Sequence, residues 1–189
     1  YLFPTLARNA RLTSVIGTGV NDSGFTFECF FHPPDDGQTN LDQTIFQKLD
    51  STGHNGISIA VQGSADTAAN VYIQATLSSG STTDLKSLNV SGTIPKGEFS
   101  HIAFVFDKGK TDSLHLLVNG SLTATSTNSQ EFSRLDFITS DINIGAGSTH
   151  YYVGGSFVPA QTLTGSIDEL KFWTYAKTFT EISSSIKKG

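Results

Sequence analysis

Between residues 25 and 173, apolar side chains return at every second position in one short stretch after another, and no helical period interrupts them. A two-residue period gives each strand one apolar face. Without helices to serve as crossovers, such strands have to pair antiparallel, in a sandwich or a barrel. Residues 25–32, FTFECFFH, put Phe25, Phe27, Cys29 and Phe31 on one face and Thr26, Glu28 and Phe30 on the other. Pro33-Pro34 stops that strand, because proline has no N–H for the ladder. Strands at 44–49 and 57–62 flank the turn-forming DSTGHNG of 50–56 and make a hairpin. Further strands fall at 71–77, 85–90, 99–107, 114–118, 122–125 and 137–144. Asn119-Gly120 marks a type I′ hairpin turn, whose two central residues both need φ > 0.

The stretch GSIDELKFWTYAKTFTEI at 165–182 closes the pattern. Alternation across 167–174 predicts Asp168, Leu170 and Phe172 on one face and Ile167, Glu169, Lys171 and Trp173 on the other. Thr178 and Glu181 then form a capping box, each side chain accepting from the other's backbone N–H. The helix predicted over 179–187 ends in Lys187 and Lys188, which suit the negative end of its dipole.

About ten strands and one terminal helix make an all-β fold, and large apolar groups on both strand faces favour two stacked antiparallel sheets over a closed barrel. The core is expected around Phe27, Phe104, Phe106, Leu116, Leu170 and Phe172. With 189 residues, 14 Phe and no linker composition, residues 1–189 read as one domain. Cys29, the single cysteine, lies in an apolar strand and reads as a buried, inert thiol. A net charge of −5, with 12 Lys plus Arg thinly spread, offers no basic footprint for nucleic acid. No apolar run approaches the roughly 18 residues that would insert into a bilayer. The absence of Met, even at position 1, points to a processed product or a segment of a larger assembly, a module rather than a freestanding enzyme. N-x-S/T triplets at Asn21, Asn89 and Asn119 are of a kind frequent by chance in a Ser/Thr-rich chain.

Three segments taken in order resemble the laminin-G-like, concanavalin A-like jelly-roll superfamily: FTFECFFHP at 25–33, HIAFVFDKGKTDSLHLLVNGSL at 101–122 and GSIDELKFWTYAKTFTEI at 165–182. The resemblance covers 25–182 and implies two curved, packed sheets following a jelly-roll path. It also implies a non-catalytic role in recognising glycans or proteins, as in secreted bacterial proteins, adhesins, and the tail and capsid proteins of phages. Related folds host glycoside hydrolases, which need two carboxylates about 5–5.5 Å apart when retaining. Those relatives space their acids Glu-x-Asp-x-x-Glu on one strand face. Here Asp168 and Glu169 are adjacent and expected on opposite faces, so the chain reads as no enzyme. Asp168 stands at the family's Ile-Asp-Glu position, where its expected use is a hydrogen bond to neighbouring backbone. His101, His115 and His150 are scattered without a nucleophile partner pattern and read as structural or surface residues. The resemblance further brings calcium, held at a sandwich rim by carboxylates and carbonyls. Asp35, Asp36 and Asp66 are its candidate ligands and Asp42 a fourth loop acid, though no dense acidic motif joins them and the reading requires no cofactor.

If consecutive strands all run antiparallel, the loops at 35–42, 63–69, 92–98, 119–120 and 146–161 share one end of the sandwich. The longest, AGSTHYYVGGSFVPAQ, sets His150, Tyr151, Tyr152 and Phe157 among small residues, with no secondary structure expected of it. A tyrosine joins a flat apolar ring to a polar tip, which suits a sugar face or a protein hot spot. The expected ligand site is therefore His150, Tyr151, Tyr152 and Phe157, with Asp66 from a neighbouring loop. With the resemblance, the expected reading is a recognition or adhesion module, extracellular or on a cell surface, binding a glycan or a surface protein. The same features fit a structural component of a virion, a phage capsid or tail, or a surface layer, whose rings cover the core or meet sister subunits. Glycoside hydrolysis comes third.

Overall fold

The computed structural model describes residues 24–35, 41–108, 111–128, 132, 141–173 and 175–186. Asn21, Asp36, residues 137–140 of the strand expected at 137–144, and Lys187 and Lys188 lie outside them. In chain order the strands are β1 (Phe25–His32), β2 (Gln43–Leu49), β3 (Gly56–Val61), β4 (Asn70–Ser79), β5 (Lys86–Pro95) and β6 (Ser100–Lys108). Then come β7 (Asp112–Val118), β8 (Ser121–Asn128), β9 (Asn143–Ile144), β10 (His150–Tyr152), β11 (Gly155–Phe157), β12 (Ser166–Trp173) and the helix α1 (Phe179–Ile186).

The strands form two sheets and a separate hairpin. The first sheet runs β12-β1-β6-β7-β8, the second β5-β4-β3-β2-β9, and β10 pairs with β11. Among the described residues every strand pairing in these sheets is antiparallel, giving a two-layer sandwich rather than a barrel. Period two explains why the layers stack. Phe25, Phe27, Cys29 and Phe31 share one face of β1, and all are fully buried. They meet Ile57, Ile59 and Val61 of β3 and Val71, Ile73, Ala75 and Leu77 of β4 in one core. Across the layers the Phe27 and Phe46 rings are 5.1 Å apart, while Phe25 stacks on Phe172 at 5.4 Å within the first sheet. Each such large apolar side chain contributes roughly 1.5–3 kcal/mol on burial. The expected core residues Phe27, Phe104, Phe106 and Leu116 are buried, and Leu170 and Phe172 pack half-buried against them.

The Asn119-Gly120 turn has the φ values a type I′ turn needs, 49° and 76°. Asn119 also accepts from His101 N–H through Oδ1 (2.9 Å), tying the turn to β6. The capping box forms as expected: Thr178 N–H donates to Glu181 Oε2 (2.7 Å) and Glu181 N–H to Thr178 Oγ1 (3.2 Å). The helix it starts lays Ile182 on Ala103, Val105 and Leu117, a second small core on the outside of the first sheet. Among the described residues no helix is long and apolar enough to cross a membrane.

Three expectations need correcting. Strict alternation fails in β12, because Glu28 pairs with Lys171 but Phe30 with Asp168, so two steps on β1 match three on β12. Glu169 absorbs the extra residue as a bulge at φ 49°. Ile167 is thereby turned onto the core side with Leu170 and Phe172, not away from them. Second, β5 continues past Val90 to Pro95, so the loop expected at 92–98 is mostly strand. Gly92 opens that expected loop, yet a Cβ there would lie 2.9 Å from Leu116 Cδ2, so glycine is there for close packing. Third, 146–161 contains the β10–β11 hairpin, turned at Gly154 with φ 88°.

Candidate functional site

The second sheet carries an unusual outer face. Alternation turns Gln47 of β2, Ser58 of β3, and Thr76 and Ser78 of β4 away from the core, where solvent would be expected. All four are nevertheless buried, because residues 147–157 lie over them. The approach is close: a Cβ on Gly147 would fall 2.5 Å from Thr44 Oγ1 and 2.8 Å from Gln47 Oε1.

Polar contacts rather than apolar ones fasten this cover. Gln47 Oε1 accepts from Ser148 N–H (2.7 Å), and its amide donates to Ser148 O (2.8 Å) and Ser58 Oγ (3.0 Å). His150, fully buried, sits between two hydroxyls, with Nδ1 2.8 Å from Ser58 Oγ and Nε2 2.6 Å from Ser78 Oγ. Burial pushes the His150 imidazole down to about 3; the Asp50 carboxylate pulls the other way and His54 adds to the depression. The ring is neutral at physiological pH. Phe157, its cross-strand partner, is buried beside it.

The next residue points out. Tyr151 N–H donates to Gly53 O (2.8 Å), which aligns the phenol ring with the 50–55 turn, where it stacks on His54 at 4.8 Å and 16°. That turn is itself rigidly built. Asp50 Oδ1 accepts from the N–H groups of Thr52, His54 and Asn55 at 3.1–3.3 Å, and Oδ2 accepts from Asn55 Nδ2 at 2.7 Å. Burial alone would raise Asp50, but these hydrogen bonds outweigh it and hold the carboxyl below its ordinary range. Val153 N–H donates to Ser87 Oγ (3.0 Å), extending the seam to β5. The result is a Tyr151–His54 aromatic platform, Tyr151 being 41% exposed, beside the exposed Thr52 and the exposed Val153. Tyr152 is half-buried against Gly155.

Of the expected site residues, the structure therefore brings His150, Tyr151, Tyr152 and Phe157 onto one hairpin but does not bring Asp66 to it. The loop leaves opposite the middle of β2 and returns at the expected end, where Ala160 N–H donates to Asp42 O (2.8 Å), but its tip crosses the sheet to the other end of β3. Asp66 follows the far end of β3. There Oδ1 accepts from Tyr72 N–H (2.7 Å) and Oδ2 lies 3.9 Å from Lys96 Nζ, a loop staple. Asp42 is likewise engaged, with Gly63 N–H, and Asp35 lies exposed over Gly97. Among the described residues no three His, Cys, Asp or Glu side chains gather as a metal centre. The sequence reading passed over His54. Its turn was legible, but nothing local to 50–56 announces a ring that stacks on a residue nearly a hundred positions later.

The other polar cluster is structural in its geometry. Glu28, 3% exposed, takes Lys177 Nζ at 2.6 Å and His101 Nε2 at 3.2 Å beneath α1, and Lys177 also lies 4.6 Å from the centre of the Trp173 ring. The adjoining cavity of about 10 Å³ has room for one water. His115 is held by Ser113 and Thr125 at 2.9 Å each. The bulge removes the alternation on which Asp168 and Glu169 were expected to face apart: both are exposed. Asp168 accepts from Glu169 N–H (2.8 Å), the next residue of its own strand rather than a neighbouring loop, and Glu169 pairs with Lys171 at 2.6 Å.

A family model described as the concanavalin A-like lectin/glucanases superfamily matches residues 8–183. Among solved structures, the CBM40 of a Ruminococcus gnavus IT-sialidase, bound to α2,3-sialyllactose, is similar at 15% identity and TM-score 0.59, over 87% of this chain and 83% of that one. The receptor-binding domain of botulinum neurotoxin type G is similar at 18% identity and TM-score 0.57, over 88% of this chain and 38% of that one. A serotype D/C neurotoxin binding domain gives 11% and 0.56, with coverages of 88% and 36%. The chain thus spans under two-fifths of the neurotoxin domains it matches, and at these identities the likeness is one of fold. No curated protein matches the chain in sequence.

Proposed function

The chain belongs to the concanavalin A-like lectin/glucanases superfamily, and from that premise we propose that it is a non-catalytic recognition module binding a glycan on a cell surface or in the extracellular medium. The contact surface is the outer face of the second sheet where the hairpin crosses it, with Tyr151 and His54 as the stacking platform. One observation carries this reading: an exposed tyrosine ring is held in place by a backbone hydrogen bond, a stacked imidazole and a carboxylate-knotted turn. A pre-ordered aromatic loses little entropy on binding, and its flat face suits the C–H face of a sugar. The sialyllactose-bound domain of the same fold supports a sugar as the partner class. No cofactor takes part, and Asp168 and Glu169, engaged with backbone and Lys171, supply no acid pair.

A glycan array probed with the wild-type chain and with Tyr151→Ala, each with and without EDTA, tests the reading. The wild type binds a defined set of glycans, EDTA changes nothing, and Tyr151→Ala loses about 2 kcal/mol, roughly 30-fold, with its melting midpoint kept. Equal binding by both proteins removes the platform from the account. One feature favours the subunit-contact reading as second: Ile142 and Ile144, each 41% exposed, lie at β9, which among the described residues is the edge strand of the second sheet, and an edge offers its outer backbone side to another chain. Concentration-dependent assembly with no glycan binding is its signature.

A further inference from the structure

The hydrogen bonds under the hairpin have only one consistent arrangement of protons. Two backbone groups, whose roles are not adjustable, fix both ends. Ser148 N–H can only donate, so the Gln47 atom it meets is the carbonyl oxygen, and the Gln47 amide must donate to Ser58 Oγ. His54 C=O can only accept, so Ser78 spends its single hydrogen there, at 2.8 Å. Ser78 Oγ then has to accept from His150, which places the imidazole hydrogen on Nε2. A neutral ring has one N–H. His150 Nδ1 is therefore an acceptor, and Ser58 turns its hydrogen toward it. Read in one direction, the chain runs Gln47 to Ser58 to His150 to Ser78 to the His54 carbonyl, with every hydrogen used.

We propose that His150 is an acid-sensitive latch: a proton on Nδ1 takes away the acceptor of the Ser58 hydrogen, charges a ring enclosed between two hydroxyls, and frees the hairpin from the sheet. The Tyr151 ring leaves His54 when the hairpin lifts. The latch stands on the geometry alone; its consequence, release of a bound glycan in acid, rests on the recognition reading above. Among the described residues the charged or titratable groups around His150 are Asp50 and His54 on the 50–55 turn and Tyr151 and Tyr152 on its own side; β2, β3 and β4 present Gln47, Ser58, Thr76 and Ser78, none of which titrates. A negative Asp50 favours the proton and a positive His54 opposes it. Burial dominates both and holds the docked ring neutral, at about 3.

The sign follows. A histidine depressed in the docked state and near 6.5 when released binds more protons once released. Docking is thus fully supported above about pH 6.5 and weakens as pH falls toward 3. Between pH 7 and pH 5 the docked-to-open equilibrium moves toward open by about 25-fold, and by pH 4 about 200-fold.

The test needs no ligand, so it fails or succeeds apart from the recognition reading. Nitrogen-15 NMR of the labelled chain at pH 7 reports the His150 tautomer directly, and a titration to pH 4 follows the Tyr151 and Val153 amides against those of β3 and β4. The latch predicts the Nε2–H form at pH 7, and hairpin amides that change at higher pH than the sheet amides. Ser58→Ala, which removes the donor to Nδ1, should raise the hairpin midpoint by about half to one pH unit. In His150→Gln the hairpin amides, docked or not, should show no such acid transition. An Nδ1–H tautomer, hairpin and sheet signals lost together, or an unchanged acid transition in His150→Gln would each overturn the latch.

Discussion

Glu28 is a carboxylate kept charged in a place that ought to neutralise it. Burial raises its pKa, but hydrogen bonds from His101 and Lys177 and their charges outweigh that and hold it at about 2. Folded stability from this group is fully present above its unfolded value of about 4.3 and is lost as pH falls toward 2. This acid step lies below that of His150, so the hairpin gives way before the α1 anchor does. Truncating Lys177 leaves a buried charge without its closest partner. Lys177→Met should cost about 3–5 kcal/mol in chemical denaturation, and adding Glu28→Gln should recover most of it. A double variant no more stable than the single one would show that Lys177 acts through its packing on Trp173 instead. Neither partner was legible as such in the sequence. Glu28 reads as a polar residue in an alternating strand and Lys177 as a turn lysine, and 149 positions separate them.

At the scale of elements, β12 shows what a two-residue period conveys and what it conceals. Its existence, its closing role and the helix after it were all legible, because they rest on local chemistry: alternation, the capping box, apolar spacing. The bulge was not. Residues in the left-handed region are most often Gly or Asn, and a glutamate at φ 49° carries no such mark. The hairpin at 150–157 was missed for a related reason, since three-residue strands around Val153-Gly154 are too short for a period to show. The bulge makes a prediction of its own. Glu169→Gly removes the left-handed strain and forfeits only an exposed pair with Lys171, so stability should hold or rise by up to about 1 kcal/mol. Glu169→Val, β-branched at positive φ, should lower it by about 1–3 kcal/mol. Equal denaturation midpoints for the two variants would mean that the bulge relaxes freely and does not set the placement of Ile167.

Over the whole molecule, the sandwich provides a rigid frame and the hairpin is an addition to one of its outer faces. The antiparallel pairing and the core were legible, since both follow from which side chains avoid water; the two short strands of the hairpin were not. Of the residues expected to make contact, His150, Tyr151, Tyr152 and Phe157 share one hairpin, Asp66 stands apart from it, and His54 was passed over. Parity placed the returning end of the 146–161 loop correctly, but a polar outer sheet face offering Gln47, Ser58 and Ser78 drew the middle of the loop across to the other end. The account therefore makes a spatial claim: recognition occurs where Tyr151 meets His54, not at the Asp66 end. Amide shift mapping with the glycan that binds most strongly on the array tests it. The predicted result is perturbation confined to residues 50–55, 87 and 150–153, with residues 63–69 and 96–99 unmoved. Perturbation centred on 63–69 and 96–99, or an array on which no glycan binds at all, would contradict it.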